Sequence, residues 1–200
     1  MFVRRLFVSL SLSLAILAVS GVLPSAFAGR ALAAGPGQVY LFRGLANVFS
    51  YGMDQIGSDL RADGIKAKTL NHAYWPSVAD EIIADYRGKR QLGPVAIVGH
   101  SYGATAATLL AARLAAQNVP VALIVAIDPS FEVTVSKNVR RAVAFHTSSF
   151  PGLKPGPGFR GSLQNISVSG DSGVTHITID KDKTVQQKTI AEIKRAFGRR

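Results

Sequence analysis

The feature that most limits the possible folds is one continuous stretch. A short apolar strand, Pro94 to Val98, runs through Gly99-His100-Ser101-Tyr102-Gly103 into an alanine- and leucine-rich helix from about Tyr102 to Gln117. The strand has no polar alternation, so it is expected to be buried on both faces. The helix is apolar nearly all round and belongs to the interior too, with Asn118 and Pro120 ending it. A sharp turn between two buried elements needs glycines, because side chains there would crowd the backbone.

The flanking sequence alternates in the same way. Gln38 to Phe42 reads as a buried strand, Met53 to Ala62 as a helix closed by Asp63-Gly64, and Lys66 to Leu70 as a second strand. Ser77 is expected to cap the next helix with Asp80 as its capping-box partner, and Val78, Ile82 and Tyr86 share one face up to Gly88. Val121 to Ile127 is the most continuous β-branched run and predicts a central strand, ending in Asp128-Pro129-Ser130. Beyond it, Ala142 to Phe145 and Asn165 to Val168 are weaker strands on either side of the Gly/Pro-rich stretch Pro151 to Gly161, and Thr184 to Phe197 is an amphipathic helix. Strands alternating with helices predict an α/β fold, a three-layer sandwich with a mainly parallel central sheet, formed by a single domain over residues 35–200.

The N-terminal residues read as a processing segment. Arg4 and Arg5 precede an apolar run to Val19, and Ala26-Phe27-Ala28 offers a small-residue cleavage site, so residues 1–28 are expected to be a signal peptide. Ala31-Leu32-Ala33 is a second possible site. Leu6 to Leu23 is nearly long enough to be an uncleaved anchor, but the small-residue site favours cleavage, leaving no stable membrane span and a periplasmic or secreted product. Arg4-Arg5-Leu6-Phe7-Val8 has the twin-arginine pattern apart from Val3, which leaves the export route open.

The 200 residues include no cysteine, which excludes disulfides, thiolate metal sites and a cysteine nucleophile. The formal net charge is +11, or +9 without Arg4 and Arg5, and favours contact with anionic surfaces. Its C-terminal part, Lys181 to Arg200, reads as a solvated helix face. No nucleic-acid motif accompanies it, so no nucleic-acid partner is expected.

A serine hydroxyl becomes a useful nucleophile when a base takes its proton and a rigid turn presents it. Gly99-x-Ser101-x-Gly103, between a strand and a helix, supplies such a turn. Gly99-His100-Ser101-Tyr102-Gly103-Ala104 resembles the elbow of the lipase, esterase and thioesterase branches of the α/β-hydrolase superfamily, and the element order resembles that superfamily over most of the chain. The resemblance implies Ser101 as nucleophile and a chain order of serine, acid, histidine.

Asp128 is the implied acid, in an arrangement like that of thioesterase-like members, with Asp171 the runner-up. His176, between the last strand and the last helix, is the implied base, preferred to His146. His100 should point away from the Ser101 hydroxyl, and His72 fits no triad order. The backbone N–H groups of Tyr102 and Leu45 are the expected oxyanion donors. Arg43-Gly44-Leu45 stands where relatives have His-Gly-x, and Asn47 is a candidate to brace that loop.

Tyr40, Tyr51, Tyr74, Trp75 and Phe159 are aromatic candidates for an acyl pocket or for the core. No long insertion supplies a lid. The expected activity is hydrolysis of a small-molecule carboxylic ester or thioester through an acyl-enzyme, with no metal or cofactor required. A noncatalytic envelope-associated binding protein on the same scaffold and an acyltransferase are the alternatives.

Overall fold

Along the first strand, Val39 and Leu41 face one way and Tyr40 and Phe42 the other, and all four are buried. Alternate side chains of a strand point to opposite faces, so this strand must be covered on both sides. The structure, a computed structural model, describes residues 36–45, 50–88, 93–168 and 173–199. These lie within one compact unit, Ala31–Arg200. The expected signal segment, residues 1–28, lies outside the described residues.

The elements are β1 (Gln38–Arg43), α1 (Gly52–Ala62), β2 (Lys66–Asn71), α2 (Trp75–Arg87), β3 (Val95–His100), α3 (Tyr102–Ala115) and β4 (Val121–Ile127), followed by β5 (Val133–Val135), β6 (Val139–His146), β7 (Leu153–Pro155), β8 (Ser162–Ser167) and α4 (Lys183–Ala196). Single 3₁₀ turns at His72–Tyr74 and Ile179–Lys181 precede α2 and α4. Six strands form a sheet in the order β2-β1-β3-β4-β6-β8, every neighbouring pair parallel. β5 and β7 pair separately, also in parallel.

Helices cover both faces. Tyr40, Phe42, Ile97 and Ile124 pack against Val78 and Ile82 of α2 and Leu110 and Leu114 of α3. On the opposite face, Leu41, Val98 and Val125 pack against Met53, Ile56 and Leu60 of α1 and Val185 and Ile193 of α4. Each fully buried Leu, Ile or Phe stabilises by about 2 kcal/mol relative to exposure, against about 0–1 kcal/mol for a surface ion pair. The two apolar layers therefore hold the fold together. Among the described residues no helix is long and apolar enough to cross a membrane.

Several boundaries differ from expectation. Ser77 does not cap α2: the helix begins at Trp75, and the Ser77 hydroxyl donates to the Tyr74 carbonyl at 2.9 Å. Pro76 accounts for the earlier start, since a fixed φ and missing N–H suit the first helical turn. β6 is longer than Ala142 to Phe145, and β8 starts at Ser162 rather than Asn165. The Gly/Pro-rich stretch contains β7, which pairs with the equally unexpected β5.

The strand order reverses between β1 and β3, since the chain passes outward from β1 to β2 and returns on the other side of β1. Open parallel sheets bind ligands at the carboxyl ends of strands where this reversal occurs. Gly44 follows β1 and Ser101 follows β3.

Candidate active site

Ser101 joins β3 to α3 with φ 58° and ψ −122°, a left-handed conformation that a non-glycine residue rarely adopts. Strain of this kind, about 1–3 kcal/mol, persists only where the surroundings enforce it. They do so here: the Ser101 N–H donates to the Ile127 carbonyl at the end of β4, at 2.9 Å. Both flanking glycines are needed for the packing. A Cβ on Gly99 would lie 2.0 Å from the Gly103 carbonyl oxygen, and one on Gly103 would lie 2.1 Å from that of Phe42.

The Ser101 hydroxyl lies 3.0 Å from His176 Nε2, and His176 Nδ1 lies 3.0 Å from Asp128 Oδ2. Asp128 is fully buried just beyond β4, also at positive φ (46°), with its N–H on the Phe145 carbonyl at 2.7 Å. Its carboxylate accepts the Thr147 N–H at 2.8 Å and the Thr147 hydroxyl at 3.0 Å. These bonds offset the cost of burying the carboxylate away from water.

His176 sits in a turn closed by Ile179 N–H to the Thr175 carbonyl, 2.9 Å, and by Thr175 N–H to the Thr178 hydroxyl, 2.8 Å. Phe150 stacks on its imidazole with centroids 4.0 Å apart and planes 16° apart. The structure thus brings Ser101, Asp128 and His176 together. His146 makes a different bond, its Nδ1–H donating to the Thr147 carbonyl at 3.1 Å. Asp171 lies outside the described residues.

His100 points away from Ser101 into a buried relay. The Gly44 N–H donates to Ser50 Oγ at 2.9 Å, Ser50 Oγ lies 2.8 Å from His100 Nδ1, and His100 Nε2 lies 2.9 Å from the His176 carbonyl oxygen. A carbonyl can only accept, so Nε2 carries the proton and Nδ1 accepts from the Ser50 hydroxyl. Burial pushes the His100 pKa down to about 4, which keeps the ring neutral and the relay in one direction. Ser50 braces the Gly44 loop; Asn47 lies outside the described residues.

His72 holds the other side of that loop. Its Nδ1–H donates to the Gly44 carbonyl at 3.2 Å. In a trans peptide the C=O and the following N–H point in opposite directions, so this bond also fixes the direction of the Leu45 N–H. A Cβ on Gly44 would lie 3.1 Å from Ser101 Cβ, which puts the loop against the elbow. Tyr102 opens α3, where an N–H has no carbonyl of its own helix to bond. Arg43 turns to Asp54, with Nε 2.9 Å from Oδ2.

Comparison with known proteins places the chain in a family. Residues 33–150 match the thioesterase domain family. The chain belongs to that family. Its fold is that of the α/β-hydrolase superfamily and is shared with a cutinase-like protein from Cryptococcus sp., at 16% identity and TM-score 0.56 over 84% of this chain and 99% of that one. An acetylxylan esterase matches at 14% identity and TM-score 0.51, over 82% of this chain and 99% of that one. RedJ, a thioesterase from the prodiginine biosynthetic pathway of Streptomyces coelicolor, matches at 11% identity and TM-score 0.51, over 82% and 87%. No curated protein matches by sequence.

The thioesterase-domain match includes Ser101 and Asp128 and ends before His176. Around the site of this thioesterase-family chain, Leu45, Phe131 and Ile177 are 58%, 52% and 50% exposed, each one residue beyond Gly44, Ser130 or His176. Phe131 also packs edge-on against Tyr102 at 5.4 Å. Tyr40, by contrast, is buried in the core, and Trp75 and Phe159 are partly buried against the same core. Ser50, Thr147, Ser130 and Phe150 were not among the sequence candidates, and no local motif marks them.

Proposed function

We propose that the protein is an exported serine hydrolase that cleaves a carboxylic ester or thioester through an acyl-enzyme on Ser101. The observation that carries this reading is the unbroken line of hydrogen bonds from Asp128 through His176 to Ser101. In it, His176 Nε2 takes the Ser101 proton as Oγ attacks the acyl carbonyl carbon. Asp128, accepting from Nδ1–H, holds the ring in the required tautomer and stabilises the imidazolium. The N–H groups of Leu45 and Tyr102 donate to the tetrahedral oxyanion, each worth about 3 kcal/mol by analogy with donors at such sites. His176 then protonates the leaving alcohol or thiol, and water repeats the sequence on the acyl-enzyme.

The test is labelling of the purified protein with a fluorophosphonate. Stoichiometric labelling that disappears in Ser101→Ala, together with turnover of p-nitrophenyl or acyl-thioester substrates, is the expected result. A folded protein that neither labels nor turns over either substrate class is a noncatalytic scaffold. Product analysis with an added alcohol separates hydrolysis from acyl transfer. N-terminal sequencing of the exported protein tests cleavage after Ala28.

A further inference from the structure

The triad and the oxyanion donors leave Ser130 without a role, yet its hydroxyl oxygen lies 2.8 Å from Ser101 Oγ. The direction of this bond follows from its neighbours. An ionised Asp128 only accepts, so His176 Nδ1 donates to it; the neutral ring then accepts at Nε2, and the single Ser101 proton goes there. Ser101 Oγ retains only lone pairs for Ser130. Ser130 is the donor.

The backbone holds Ser130 in place. It follows Pro129, whose ring fixes φ, and Asp128, which is anchored through both its N–H and its carboxylate. On its other side Phe131 packs against Tyr102. The same short turn therefore presents the carboxylate to His176 and a hydroxyl to the nucleophile.

We infer that Ser130 is a further catalytic residue, whose hydroxyl stabilises Ser101 Oγ as the leaving group when the acyl-enzyme breaks down; this rests on the acyl-enzyme reading above. In that step water attacks the acyl carbon and gives a proton to His176 Nε2. The tetrahedral intermediate collapses, the bond from carbon to Oγ breaks, and its electron pair moves to Oγ. Oγ takes the proton from Nε2, and the acyl group departs as the acid. Ser130 keeps its own proton throughout, and its hydrogen bond strengthens as charge builds on Oγ.

The benefit falls unequally on the two halves of the cycle. An interaction accelerates a step only to the extent that it is stronger in the transition state than in the preceding ground state. In the free enzyme Oγ is a hydroxyl oxygen and already a good acceptor. In the acyl-enzyme it is an ester oxygen and a poor one. Ser130 therefore gains most in deacylation.

The experiment compares the parent with Ser130→Ala, Ser130→Cys and Ser130→Thr, using p-nitrophenyl acetate. Pre-steady-state nitrophenolate release reads acylation, and the decay of the acetylated mass after removal of the ester reads deacylation. Ser130→Ala is expected to acylate within about threefold of the parent while its acetyl-enzyme lasts about tenfold longer or more. Ser130→Cys, similar in volume but a weak donor, is expected to fall between the two, and Ser130→Thr to restore the lifetime. An unchanged lifetime in Ser130→Ala and Ser130→Cys, or equal slowing of both steps, overturns the assignment. A parent that labels with fluorophosphonate but shows no change on losing the Ser130 hydroxyl overturns this inference alone. A parent that forms neither acetyl-enzyme nor label overturns the hydrolase reading and this inference with it.

Discussion

Thr147 donates twice to Asp128, through its N–H at 2.8 Å and its hydroxyl at 3.0 Å, so one residue at the end of β6 satisfies most of a carboxylate that has no access to water. Thr147→Val keeps the shape and the amide and removes the hydroxyl. The expected result is a stability loss of about 1–2 kcal/mol in urea unfolding, with turnover down about tenfold because the carboxylate is less firmly oriented.

Asp128→Asn addresses the proposed acid directly. An amide in that position favours the wrong imidazole tautomer, and kcat is expected to fall by about 10⁴ with folding retained. Asp171→Asn is expected to leave kcat near the parent value. Steady-state kinetics on both variants check the pair, and the opposite ranking would transfer the acid role to Asp171.

Ser50→Ala breaks the relay at its middle, leaving the Gly44 N–H and His100 Nδ1 without their partners. Stability is expected to fall by about 1–3 kcal/mol. The loop carrying the Leu45 N–H then loses its tie at the Gly44 N–H and keeps the one from His72 to the Gly44 carbonyl. A donor to the oxyanion acts in the transition state, so kcat is expected to drop with KM little changed.

Two buried groups make stability depend on pH in opposite senses. Burial lowers the His100 pKa from 6.5 to about 4, so between these values the unfolded chain binds a proton that the folded chain does not, and the fold weakens as pH falls. Burial raises the Asp180 pKa from 3.8 to about 6, so over nearly the same range the folded chain holds the extra proton and gains stability as pH falls. Asp180→Asn removes only the second effect and can still accept the Gly52 N–H that Asp180 Oδ2 accepts at 2.9 Å. The variant is expected to be more stable than the parent near pH 7, with the difference vanishing by about pH 4, as read by urea unfolding across the range.

The layered α/β architecture was legible because β3 and β4 are buried on both faces and carry uninterrupted apolar runs. β8 is an edge strand with mostly exposed or half-buried residues, so Ser162 to Gln164 carry no such signal. β5 and β7 have three residues each, too few to show a period. At the site, glycine spacing singled out Ser101, and the superfamily resemblance implied Asp128 and His176, which lie in hydrogen-bond contact; their catalytic roles are those proposed above. Ser50, Thr147 and Ser130 are single hydroxyls whose significance comes entirely from neighbours distant in sequence, such as His100, 50 positions from Ser50.

The wide separation of His176 from its partners also bears on biosynthesis. It follows Asp128 by 48 positions and Ser101 by 75. On the roles proposed above, a ribosome releases the nucleophile and its acid before the base, and the nascent chain carries an unactivated hydroxyl until the stretch around His176 emerges. With these roles, hydrolytic power waits on that stretch, and a truncated translation product lacking it would present the turn at Ser101 without the means to deprotonate it.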